Sequence, residues 1–113
     1  MTIPSATIQE VLDGLRSPVA DDRENSAEAT TDFPDSLTPD QARELTAALV
    51  RAAVGEVDVD AREAQLHAVY ILQAWNRLDP NTVRPVLALE SAGDLGPSER
   101  TYLESLRAFV EKS

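Results

Sequence analysis

The chain has no cysteine. Disulfides and thiol chemistry are thereby excluded, and the absence fits a cytoplasmic location. No run of about 18 apolar residues occurs, so a membrane-spanning helix is not expected. The first residues, Met1 to Ser5, lack the basic and apolar blocks of a signal peptide. Aromatic residues are scarce at 4%, so alanine and leucine carry most of the apolar mass. Alanine costs little entropy in a helix and lets helices approach closely, which favours an all-α packing. No alternating pattern of a half-buried strand competes with that reading.

Further absences limit the chemistry. His67 is the only histidine, and a zinc or catalytic site needs converging ligands or a base beside a nucleophile. It therefore reads as a surface or partly buried imidazole. Glu56, Asp58, Asp60 and Glu63 invite a calcium reading, but a calcium loop needs fixed oxygen offsets and a central glycine. Ala61 and Arg62 stand in the intervening positions, so the aspartates read as helix caps. The segment from Gly93 to Gly96 has no Gly-Lys-Ser or Gly-Lys-Thr after it and is no phosphate loop. No metal, cofactor or catalytic constellation is expected.

What is present is negative charge. The net charge is −10, and residues 1–60 hold 13 acidic and 4 basic side chains against 7 and 6 in residues 61–113. A field of this sign repels nucleic-acid phosphates and attracts basic surfaces. The expected partner is a protein with a basic surface, with no role for nucleic acid or membrane.

The stretch from Asp58 to Leu78 is the organising segment, containing the only tryptophan and the only histidine. Ala61, Ala64, Ala68, Ile71, Trp75 and Leu78 recur at spacings of three and four, the period of one helix face. Leu66, Val69 and Leu72 widen that face, as in a helix with neighbours on more than one side. Trp75 lies on the stripe and reads as core.

Around it the chain divides into helices. Ser5 is a candidate N-cap for a helix to about Arg16, with Ile8, Val11, Leu12 and Leu15 as its stripe. Gly14 weakens this helix near its end, and Ser17-Pro18 breaks it. A second helix is expected from Ala20 to Phe33. Its Asp21, Glu24, Glu28 and Asp32 form an acidic ridge that repels itself at three- and four-residue steps. Thr38-Pro39 opens a third helix, with Ala42, Leu45, Leu49, Ala52 and Ala53 inward and Gly55 as a C′ residue. Asp58 or Asp60 caps the central helix, the latter with Glu63 as a capping box. Asp79-Pro80 opens a short segment carrying Val83, Val86, Leu87 and Leu89. Pro97 or Ser98 starts the last helix, with Tyr102, Leu103, Leu106, Phe109 and Val110 inward and Lys112 at its end.

The helices repeat in pairs. Arg23-Glu24 and Arg62-Glu63 lie 39 residues apart, Thr38-Pro39 and Asp79-Pro80 lie 41 apart, and Arg100 follows Arg62 by 38. A period near 40 with two helices per unit marks a HEAT-type solenoid. The segment from Val57 to Ala64 resembles the turn and second-helix start of HEAT-like repeats, at Asp60, Arg62 and Glu63. The first unit departs from the pattern, with Asp22, Asn25 and Ser26 where apolar residues are expected. This resemblance implies one all-α domain over residues 1–113, a short HEAT-like solenoid of about five to six helices in antiparallel pairs. Second helices of such repeats line one face. The 39-residue register sets Glu24 beside Glu63, Glu28 beside His67 and Thr31 beside Tyr70. With Asp21 and Asp32 these form the candidate partner-binding surface. In size, charge and architecture the chain also resembles the immunity proteins of bacterial polymorphic toxin systems. That resemblance implies a non-catalytic inhibitor bound to a cognate, basic toxin domain, possible substrates of which include nucleic acid. The alternatives are a HEAT-like adaptor, which could self-associate, and an enzyme or enzyme subunit.

Overall fold

The computed structural model describes residues 2–112. No strand occurs among them. Helix α1 spans Ser5–Gly14, α2 Ala20–Ala29, α3 Pro39–Gly55, α4 Val59–Trp75, α5 Pro80–Val83 and α6 Pro97–Glu111. Short 3-10 segments follow α2, at Thr30–Asp32, and α5, at Arg84–Ser91.

The starts of these helices are set by local chemistry. Thr38 and Gln41 satisfy each other's backbone amides at 3.1 and 3.0 Å, with Pro39 at the first helical position. Asp58 caps α4 by accepting the Ala61 amide at 2.9 Å. The expected Asp60–Glu63 box does not form, because Asp60 already lies inside the helix. Asp79 accepts the Asn81 amide at 2.9 Å to start α5. Ser5 is the first residue of α1 rather than its cap, a position held by Pro4. The start of α2 is held from outside it, where Ser17 Oγ accepts the Val19 amide and donates to Asp22.

The ends differ more from expectation. α1 stops at Gly14, short of Arg16. α2 stops at Ala29 instead of Phe33. The Thr30 and Thr31 hydroxyls donate to the Ala27 and Glu28 carbonyls, both at 2.7 Å, and the chain tightens there. Gly55 is the last residue of α3, not a left-handed C′ glycine, and Glu56 caps it in extended geometry.

α4 packs against α2, α3 and α6, which makes it the central element. α1 touches α2 and α3, while the segment from Arg84 to Ser91 packs on α3 and α6. The extents are 38 × 35 × 18 Å, and the smallest matches two layers of helices about 10 Å across. The contacts also give the sense of the layer formed by α2, α4 and α6. Glu24, near the start of α2, meets Asp58 and Asp60 at the start of α4. Arg62, also near the start of α4, holds Glu99 near the start of α6. Later along the same helices, Glu28 faces His67, and Tyr102 faces both His67 and Tyr70. The three helices therefore run in the same direction.

Leu45, Leu49, Leu66, Leu72, Leu103 and Leu106 are fully buried between the layers. Ala27, Ala42, Ala53, Ala61 and Ala68 are fully buried as well. Gly14 marks a close approach of two helices. A Cβ there would stand 1.8 Å from Ser26 Oγ and 2.9 Å from Ser26 Cβ, so glycine permits α1 to cross α2. Trp75 corrects the sequence reading. It is the last residue of α4, is 60% exposed and does not belong to the core.

Candidate protein-binding face

Two arginines fix the layer of α2, α4 and α6, each the fourth residue of its helix. In α2, Arg23 Nε and Nη2 donate to the two Glu56 oxygens at 2.8 and 2.9 Å. Glu56 also accepts from Gln65 Nε2 at 2.8 Å and from the Val57 and Asp58 amides at 3.1 Å. The Arg23 hydrogen bonds, aided by those from Asp58 and Gln65, outweigh burial and hold the Glu56 carboxyl down at about 2. In α4, Arg62 Nε and Nη2 donate to Glu99 at 2.6 and 3.1 Å, and Nη1 donates to Asp94 at 3.0 Å. Each arginine thus clamps acid at the entrance to the next parallel helix: Glu56 just before α4, and Asp94 before and Glu99 within the first turn of α6. The device repeats, as Arg23 and Arg62 do in sequence. It also commits the only cationic side chains of α2 and α4 to internal partners.

Asp21, Glu24, Glu28, Asp60 and Glu63 on the same helices form no salt bridge among the described residues. Oxygens of Glu24, Asp58 and Asp60 lie within 4.8 Å of one another. Desolvation raises the Glu24 pKa, and the carboxylates of Glu28, Asp60 and Asp21 add to the rise. These three groups are close enough to share a cation, but Asp58 is already engaged as the cap of α4, and clustered acids are ordinary at solvated helix starts.

One step further along, Asn25, Glu28, Ala29, Thr31, Asp32 and His67 line an open hollow of about 530 Å³ between α2 and α4. On its other side the His67 ring lies 5.2 Å from the Tyr102 ring, and Tyr102 lies 5.4 Å from Tyr70. Burial, then the charge of Glu63, pushes the Tyr102 hydroxyl up.

Of the residues singled out in the sequence, Glu28, Thr31, Asp32 and His67 line the hollow, while Tyr70 meets Tyr102, whose ring also meets His67. Glu24 meets Asp58 and Asp60 at the start of α4. Glu63 is exposed and acts on Tyr102, and Asp21 is exposed at the start of α2. Tyr102, expected to face inward, is half-buried against the core and completes a row of rings. The signal that places it is Glu99, three residues earlier, as the buried acid that Arg62 requires. What the arrangement offers chemically is attraction for cationic groups together with aromatic contact. Compared with models of protein families, with curated proteins and with solved structures, the chain matches none.

Proposed function

We propose that the chain is a short HEAT-like α-solenoid that binds another protein without catalysis, as an immunity protein that neutralises a cognate bacterial toxin domain with a basic surface. The helix adjacency supports the solenoid reading: α2, α4 and α6 lie side by side in one direction, with α1, α3 and the segment from Pro80 to Ser91 behind them. One observation carries the binding reading. α2, the 3-10 segment after it and α4 present Asp21, Glu24, Glu28, Asp32 and Glu63, while Arg23 and Arg62 are spent on internal acids. Leaving acids uncompensated costs the free protein self-repulsion. A basic partner relieves that repulsion on binding and is steered to the face. If the partner is a nuclease, the same acids occupy the place of its nucleic acid.

The test is genetic and physical. A gene beside this one should encode a toxin domain that kills in its absence, and the two purified proteins should form a stable complex. A neighbouring toxin gene whose product is neither bound nor neutralised by this chain would overturn the immunity reading.

An adaptor is the second reading, favoured by exposed apolar side chains at one end of the α3–α4 pair. Val57 is 90% exposed, and Val54 and Val59 are also exposed. Self-association through these valines would appear as a concentration-dependent dimer.

A further inference from the structure

His67, Tyr70 and Tyr102 form a row across two parallel helices, with successive ring centroids 5.2 and 5.4 Å apart and both pairs tilted by 31°. All three are half-buried, so part of each side chain remains open to solvent. Carboxylates stand on both sides. Glu28 and Asp32 share the hollow with His67. Glu63 lies one turn before His67 on α4 and is close enough to Tyr102 to disfavour its ionisation. No cationic side chain of α2 or α4 is available to fill the place between rings and acids, because Arg23 and Arg62 are held elsewhere.

We infer that the Tyr70–Tyr102 row, flanked by Glu28 and Glu63, seats an arginine side chain of the protein partner. This rests on the proposal that the face binds a basic protein, and it names the group that is recognised. A guanidinium is planar, weakly hydrated and carries five donors. It stacks on tyrosine while its N–H groups donate to a carboxylate beside the ring. A lysine ammonium gains the charge attraction but holds its water more tightly and has no plane to stack. Phosphates and acidic peptides are repelled by the carboxylates.

The test uses fluorescein-labelled nonapeptides of alternating arginine and glycine, or lysine and glycine, titrated by fluorescence polarisation at low salt. The arginine peptide should bind about threefold to tenfold more tightly than the lysine peptide. Tyr70→Leu and Tyr102→Leu should each erase that preference while leaving lysine-peptide affinity within about twofold. Tyr102→Phe keeps the ring and should keep the preference. Glu28→Gln and Glu63→Gln should weaken both peptides. If Tyr102→Leu fails to fold, Tyr70→Leu answers the same question from the other helix. Equal affinity for the two peptides, or a preference that survives both leucine variants, would overturn the arginine seat and leave the acidic face standing. Failure of either peptide to bind at low salt would remove the acidic face as well.

Discussion

Arg62 and Glu99 meet inside the α4–α6 interface, Nε to Oε2 at 2.6 Å, with side-chain exposures of 7% and 1%. Their charges balance each other away from water, and Asp94 completes the arginine's partners at the rim. Removing one member strands the other. Arg62→Met should destabilise the fold by about 3–5 kcal/mol, because a buried carboxylate is left without a counterion. The double change Arg62→Met with Glu99→Leu should recover most of that loss. Urea denaturation measures both, and simple additivity of the two single effects would refute the coupling.

Glu56 predicts an acid limb. Its carboxyl sits at about 2, below the ordinary value of 4.5, because Arg23 donates to its charged form. A lowered carboxylate pKa contributes stability that is fully present above about 4.5 and is lost as pH falls towards about 2. Glu56→Gln should lower stability near neutral pH by about 1–3 kcal/mol. It should also flatten the fall between pH 4.5 and 2 expected of the unaltered protein. An identical acid limb in both proteins, followed by circular dichroism, would contradict the assignment.

Gly14→Ala sets two effects against each other. Alanine is favoured over glycine within a helix by about 1 kcal/mol, but its methyl group would enter the space of Ser26 Oγ at 1.8 Å and Ser26 Cβ at 2.9 Å. The clash should win, with a net loss of about 1–3 kcal/mol. Adding Ser26→Gly clears both atoms and should restore part of the loss. A Gly14→Ala protein that melts higher than the original would show that α1 and α2 can separate without cost.

Trp75 should behave as a surface residue. At 60% exposure, its replacement by alanine should change stability by less than about 1 kcal/mol, far from the 3–5 kcal/mol typical of a buried tryptophan. Its fluorescence should be red-shifted and open to iodide quenching. A blue-shifted, protected emission would return it to the core.

The helix starts were legible because capping chemistry is local. Thr38 with Pro39, Asp79 with Pro80, and Asp58 each lie within three residues of the amide they satisfy or replace. The packing of α2 against α4 was legible in the 39-residue spacing of Arg23-Glu24 and Arg62-Glu63, but the acids these arginines hold, Glu56 and Glu99, were not. Trp75 was not legible. Periodicity identifies the inward side of a helix but not how far along its axis the neighbours reach, and Trp75 is the final residue of α4. Tyr102 escaped for a related reason, because its register against His67 and Tyr70 depends on the long-range Arg62–Glu99 contact. The end of α2 depended on two threonine hydroxyls whose competition for carbonyls the apolar pattern does not record.

The most direct measurement is the affinity of the toxin domain encoded beside this gene for a triple variant, Glu24→Lys, Glu28→Lys and Glu63→Lys, beside the unaltered chain. All three side chains lie on the outer side of α2 and α4 and take no part in the two arginine clamps. The variant should keep its helical circular dichroism and lose binding by at least about a hundredfold, as expected when charges at an electrostatic interface are reversed. A folded variant that binds the partner as tightly as the original would show that recognition lies elsewhere on the molecule.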